Sequence, residues 1–268
     1  MGNLETLGSF IESAPPGELP NVTTAIKSIV GDKPLSDLQP AFEKYNEEQF
    51  TTVKLPGGSQ SVVISPYNKL DDGRYFDVES STSFVFDHST QKASNAQSYV
   101  LDSSNADLIK SLLKSFKTYV DEHYPDSSIG VYPTDNDSKV AVVLVSSKYS
   151  PNNFWGGRYR SSYLLTPSSS SLTGTIYVDV HYYEDGNVRL LTEKSVSPST
   201  SSSSAADIVK TIRQTEQKYQ EELNRAFVSM SEGAFKGLRR QLPVTRQKIE
   251  WDRVGGYRIG QDIGGAKR

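Results

Sequence analysis

The sequence predicts an α+β fold: an N-terminal helical bundle, a small β region, and a five-stranded antiparallel sheet covered by a short and a long helix. Three observations carry this reading. Residues 4–50 place apolar side chains at helical spacing, cut into short pieces by Pro and Gly. From Thr51 the apolar period changes to two, the spacing of strands. Between residues 127 and 196, strand-like runs follow one another with turn signals between them and no helical run, which predicts an antiparallel meander. The expected organisation is a bundle over 1–50, a β region over 51–100, a sheet with flanking helices over 101–242 and a C-terminal tail over 243–268.

In the bundle, LETLGSFIES stops at Pro15-Pro16-Gly17, LPNVTTAIKSIVG stops at Gly31, and LSDLQPAFEKYNEEQF follows. Val22, Ile26, Ile29 and Val30 recur at helical spacing, and the double proline sets a rigid turn. In the β region the strand candidates are FTTVKL, QSVVIS, RYFDVE and TSFVFD, separated by Pro56-Gly57-Gly58 and Asp71-Asp72-Gly73. An acid pair directly before Gly is turn chemistry, and no third ligand stands near it to make a metal site.

Ser104 to Tyr124 reads as the short helix, with Ser104 and Asp107 at capping-box spacing and Leu108, Leu112, Phe116 and Val120 on one face. His123 falls in its last turn, where an imidazole interacts with the helix dipole. The strands SSIGVYPT, KVAVVLVSSKYS, GRYRSSYLLTP, GTIYVDVHYY and NVRLLTEKSV come next. NFWGGRYRS (Asn153 to Ser161) is expected between two of them, with Phe154, Trp155 and Tyr159 packed. Arg158 and Arg160 would share a sheet face and pack against another subunit. After the Ser/Thr-rich linker from Pro198 to Ser203, Ser204 and Asp207 repeat the capping-box spacing and open a long helix to about Leu242. Its stripe is Ile208, Ile212, Tyr219, Leu223, Phe227 and Met230, with Glu216, Lys218, Glu221 and Glu222 on the polar side. Such a helix is roughly 50 Å long or more.

Charge is strongly polarised along the chain. From Lys236 to the end there are nine Lys or Arg and three acids, a formal charge of +6, while the preceding 235 residues sum to −9. Leu238, Leu242, Ile249, Trp251, Val254, Tyr257, Ile259 and Ile263 run through the same segment, so the tail is amphipathic and should dock as well as attract. Pro243 cannot sit in a helix interior and should end or kink the long helix near Leu242.

Three separated strings carry a family resemblance: FIESAPPGEL (Phe10 to Leu19), NFWGGRYRS, and LRRQLPVTRQKIEW followed by YRIG. Together they resemble the alpha subunit of F-actin capping protein, in order and over essentially the whole chain. The resemblance implies an obligate heterodimer with a beta subunit of similar fold that continues the sheet. It implies binding to filament barbed ends, independent of Ca2+, that blocks subunit addition and loss without severing. By the same resemblance the actin-binding positions are Lys236, Arg240 and Arg246, supported by Arg239, Lys248, Trp251, Tyr257 and Ile259. It also implies phosphoinositide and protein regulators, and a place in the cytoplasm at the cortical actin cytoskeleton. After Trp251 the chain departs from the family's apolar helix by reading Gly255-Gly256, Gly260 and Gly264-Gly265, each an interior cost of about 1 kcal/mol to a helix.

The residues point away from catalysis. The chain has no cysteine, which excludes disulfides, thiolate nucleophiles and Cys-type metal sites. No phosphate-cradling glycine loop, nucleophile elbow or HExxH motif is present, and His88, His123 and His181 are scattered. Asp179 and His181 are two apart on one strand, where a satisfied polar pair is the expected arrangement. No cofactor or metal is expected. The start lacks a secretory leader and no 18-residue apolar run occurs, so the Asn21-Val22-Thr23 and Asn136-Asp137-Ser138 sequons carry no glycosylation reading and a cytosolic protein is expected. Met1-Gly2 with Thr6 matches a myristoylation pattern too short to carry weight. An acidic body without a recognisable RNA- or DNA-binding motif argues against nucleic acid as partner, and none is expected. The alternative to capping is an anionic-phospholipid-binding cytoskeletal adaptor that uses the same basic tail.

Overall fold

A computed structural model describes residues 2–31, 35–58, 60–184, 187–200, 204–230 and 233. Three helices open the chain, α1 Gly2–Glu12, α2 Leu19–Val30 and α3 Gln39–Glu48, the last entered through a 3-10 turn at Leu35–Leu38. Pro20 and Pro40 lie in the first turns of α2 and α3, where the missing N–H has no intrahelical acceptor to lose. Gly31 terminates α2 at φ 67. Ile11, Leu19, Ile26, Phe42 and Tyr45 form the bundle core. Of the expected α2 stripe, Ile26 is buried and Val22 and Val30 flank the core, but Ile29, at the stripe's outer margin, is 72% exposed.

The β region has a two-stranded sheet, β1 Thr52–Lys54 with β2 Ser61–Val63, and a three-stranded sheet of β3 Tyr75–Asp77, β4 Thr82–Asp87 and β5 Lys92–Ser98. Asp71-Asp72-Gly73 is a turn as expected: Gly73, at φ 79, donates its N–H to Leu70 O at 2.9 Å, and the Asp72 carboxylate accepts the Arg74 N–H at 3.0 Å. The strand β5 has no counterpart in the sequence reading. Its sequence KASNAQS lacks alternation because the strand buries almost nothing. It forms because Asp87, accepting the N–H groups of Ser89 and Thr90, turns the chain back along β4.

Helix α4, Ala106–His123, packs on the first strand of the main sheet through Ile109, Leu112, Phe116, Tyr119 and Val120. The expected face is thus shifted, with Ile109 buried and Leu108 only partly so. Its N-terminus also differs from the expected capping box: Asn105 is the cap residue and makes no side-chain cap bond. Ser104 turns instead to Asp137, whose carboxylate accepts Ser103 Oγ, Ser104 Oγ and Ser104 N, each at 2.6 Å. A carboxylate with several donors outcompetes a local serine cap. Those bonds, the Ser103 and Ser104 hydroxyls foremost, hold the Asp137 carboxyl down at about 2. A depressed folded-state pKa contributes stability above the unfolded value near 4 and loses it as pH falls through about 2. Asp137→Asn should therefore lower the unfolding midpoint at neutral pH and flatten its fall between about pH 4 and pH 2, as read by denaturant titrations at each pH.

The main sheet comprises β6 Ser127–Thr134, β7 Lys139–Ser150, β8 Trp155–Thr166, β9 Ser171–Tyr182 and β10 Val188–Val196, all antiparallel in the order β10-β9-β8-β7-β6. This is the expected meander. One face, through Tyr132, Val143 and Val145, packs on Phe50, just after α3, and on Val63 and Phe76 of the β region. NFWGGRYRS is not an interstrand segment: only Asn153 and Phe154 lie outside β8. Phe154 is not packed as expected, being 44% exposed in the left-handed region at φ 55, because the turn between β7 and β8 closes there.

Two of the strings that carried the resemblance meet in space. A Cβ on Gly17, at φ +81, would lie 2.5 Å from the Tyr149 ring, and one on Gly156 would lie 2.7 Å from Pro16 O. The Pro15-Pro16-Gly17 turn is therefore seated directly on the end of β7 and β8. Gly17→Ala should destabilise the fold by about 1–3 kcal/mol through overpacking added to an unfavourable φ. Gly57→Ala, at φ +77 with nothing within 4 Å, carries backbone strain alone and should cost less in the same unfolding titration. Beside this junction, Asp179 and His181 are not paired with each other. Asp179 takes Arg189 Nε at 2.9 Å and Nη2 at 2.7 Å, while His181 is held by Glu18 at Nδ1 and Asn187 Oδ1 at 2.6 Å on Nε2. Arg189 also donates to Ser13 O, so both side chains serve to lock the bundle to the sheet.

The chain divides into two compact units, Met1–Gln217 and Lys218–Arg268. Helix α5, Ala205–Ser229, begins as expected: Asp207 N donates to Ser204 Oγ at 3.2 Å and Ser204 Oγ to Asp207 Oδ2 at 2.8 Å. Ile208, Val209 and Ile212 are buried in the first unit. Glu216, expected on the polar side, is fully buried with them. It stands four residues past Ile212 and eight past Ile208, so helical geometry puts it on the inner stripe. Of the expected stripe's distal half, Phe227 and Met230 are 48% and 38% exposed. Met230 and Gly233 have π-helical conformation, and the remaining positions up to Leu242 lie outside the described residues.

Candidate functional site

The predicted binding residues Lys236, Arg240 and Arg246, and the supporting Arg239, Lys248, Trp251, Tyr257 and Ile259, all lie outside the described residues, as does Pro243. The structure instead defines how α5, the element that leads into them, is anchored.

That anchor is Glu216. Tyr119 and Tyr124, from α4 and the residue after it, each donate a hydroxyl to Oε2 at 2.7 Å. From β8, Ser161 Oγ donates to Oε1 at 2.7 Å and Tyr163 OH at 3.1 Å. Ser161 and Tyr163 point to the same face because they are two apart on the strand. One carboxylate thus joins α4, α5 and the sheet through four neutral donors, with no cation among them. Burial foremost, and then the Glu216 charge, pushes the hydroxyls of Tyr119, Tyr124 and Tyr163 far above the ordinary tyrosine value, so all remain donors at any physiological pH. Tyr159 stacks on Tyr124 at 5.1 Å between ring centres, which makes it the one aromatic of NFWGGRYRS that supports this cluster. Sequence reasoning missed Glu216 by treating charge as a surface label. Its spacing after Ile208 and Ile212 was the available signal.

On the opposite face of β8, Arg158 and Arg160 do share one side, as their alternation predicts. Arg158 donates from Nε to Ser147 Oγ at 3.2 Å and from Nη1 to Gln49 Oε1 at 3.4 Å, while Arg160 lies over Tyr177 at 4.4 Å from the ring centre. Nothing in these arrangements resembles a nucleophile with its base. Among the described residues no three His, Asp or Glu side chains gather so as to hold a metal ion.

The fold defines an α+β class in which a five-stranded antiparallel meander packs on the β region through one face and holds the first half of α5, as far as Glu216, on the other. The family model described as F-actin capping protein alpha subunit matches residues 7–262, and the chain belongs to that family. Among its relatives are proteins named F-actin-capping protein subunit alpha from Gibberella zeae, 65% identical over 98% of both chains, and Neurospora crassa, 62% identical over 97% of this chain and 96% of that one. The Saccharomyces cerevisiae protein of that name is 35% identical over 98% of this chain and 97% of its own. A solved structure described as the homodimeric actin capping protein alpha subunit from Plasmodium berghei shares the fold, with a TM-score of 0.72 and 21% identity over 87% of this chain and 93% of that one.

Proposed function

We propose that this chain is the alpha subunit of a heterodimer that binds the barbed end of actin filaments and blocks subunit addition and loss. The observation that carries the reading is the family match over nearly the whole chain, including the basic C-terminal segment up to residue 262. Lys236, Arg240 and Arg246 are the actin-contacting cations, with Arg239, Lys248, Trp251, Tyr257 and Ile259 supporting them. Lys236 and Arg240 are four apart and would share a face of a helix. Capping needs no bond made or broken, because occupying the terminal surface suffices; severing and Ca2+ have no part in it. The beta subunit extends the sheet, and the work is done in the cytoplasm, at cortical actin. Phosphoinositides and protein regulators would act on the same basic segment.

The test is co-expression with a beta subunit followed by elongation from filament seeds. The two chains should copurify and the complex should stop growth at the fast end, whereas chains that do not associate would refute the heterodimer. The +6 charge of the amphipathic tail also favours anionic phospholipid, as in a cytoskeletal adaptor. Cosedimentation with vesicles containing phosphoinositide, run beside the seeded assay, separates the two. Vesicle binding without any effect on elongation would leave the adaptor as the better account.

A further inference from the structure

Arg158 and Arg160 lack the counter-charge that two neighbouring cations call for. Among the described residues no carboxylate oxygen lies within ion-pair distance of either guanidinium, and Asp179 on the adjoining strand gives both its oxygens to Arg189. Arg160 Nε is buried with no hydrogen-bond partner. Burial, and after it the Arg158 charge, pushes the Arg160 guanidinium down to about 10. A largely buried cation left in that state is costly, and an unsatisfied buried donor such as Arg160 Nε calls for an explanation.

The surroundings indicate what is missing. In sheet register Arg158 lies opposite Asp179, which lies opposite Leu191; Arg160 lies opposite Tyr177, which lies opposite Glu193. These residues share one face. Leu191, on the edge strand β10, is 65% exposed, and among the described residues β10 has no partner strand on its outer side. The patch thus joins two cations, one aromatic platform and an uncovered apolar side chain beside an open sheet edge. A planar guanidinium pair matches a carboxylate, which accepts two N–H bonds at once.

We propose that Arg158 and Arg160 receive an Asp or Glu side chain of the second subunit, on a segment that lies over β8 to β10 and sets an apolar residue against Leu191. Charge complementarity argues for this occupant, as does the unpaired β10 edge bordering the same patch. The inference rests on the dimer reading above and adds a specific contact to it.

The test uses the co-expressed two-chain complex. Arg160→Lys keeps the cation and supplies a primary amine, which a zero-length carbodiimide joins as an amide to a carboxylate in contact with it. Peptide mapping should find residue 160 linked to an Asp or Glu of the other subunit, and Arg160→Gln should give no such product. Arg158→Lys offers the same coupling from the neighbouring position if the first variant does not assemble. In subunit exchange, Arg160→Gln should raise the dissociation constant of the pair at least about tenfold and reduce its dependence on salt, which a purely packing role would leave unchanged. A complex that forms normally but links these positions only to carboxylates of their own chain, such as Glu48 or Glu193, or to none, overturns the inference and leaves the dimer intact. Wild-type chains that fail to copurify strike the dimer reading itself, and this contact with it.

Discussion

Replacing Lys236, Arg240 and Arg246 together by alanine is expected to weaken barbed-end binding by at least about three powers of ten while leaving the complex folded. Truncating one partner of a desolvated, hydrogen-bonded charge pair costs ~2–5 kcal/mol, and every ~1.4 kcal/mol is a factor of ten. Three such losses reach that mark even when they are far from additive. Exposed pairs contribute only about 0–1 kcal/mol each, so a loss below tenfold would assign these cations to an ordinary solvated face. The salt dependence gives a second reading. If the three are interface charges, the variant's residual binding should respond less to ionic strength than the wild type does. Denaturant unfolding of the variant should match the wild type if the three cations serve binding alone.

Glu216→Ala should destabilise the folded chain by about 3–5 kcal/mol, because several buried hydroxyls lose the carboxylate as acceptor and each such loss costs about 1–3 kcal/mol. Tyr119, Tyr124, Ser161 and Tyr163 all lose their acceptor at once, in a place that water does not reach. Glu216→Gln keeps the shape and one acceptor oxygen, so it should cost less, about 1–3 kcal/mol, while its amide N–H2 faces hydroxyls that must reverse to accept. Denaturant midpoints of the assembled protein at one fixed concentration measure both, since dissociation makes stability concentration-dependent. An alanine variant as stable as the wild type would show that the carboxylate is not what fastens α5 to the sheet. A variant that unfolds at lower denaturant yet caps normally when folded would separate anchoring from binding.

The two variants differ because the sequence speaks unequally about the two places. The five strands of the meander were legible to within three residues at each end, since the buried run Val140 to Val145 and the buried Tyr163, Leu165, Leu172 and Ile176 leave an apolar pattern, with turn signals between, in the primary structure. The strand β5 was not legible, because it is held by ladder bonds and a turn and buries almost no side chain. Ser104 sat at capping-box spacing but bonds Asp137, 33 positions away, and no local rule foresees a distant carboxylate. Glu216 was misplaced for a related reason: its four donors come from α4, the residue after it and β8, so only tertiary structure reveals them. Nor does spacing alone show that Gly17, near the start of the sequence, and Gly156, near its middle, face one junction. The basic tail is the reverse case. Charge and amphipathicity make it conspicuous in the sequence, and its cations lie beyond the described residues.

Imaging of single filaments whose two ends are distinguishable, in the presence of the purified two-chain complex and free actin, addresses capping most directly. Growth at the fast end should stop while the slow end continues to elongate, with no increase in the number of filaments. Continued growth at the fast end at micromolar complex, or the appearance of new breaks along filaments, would contradict it.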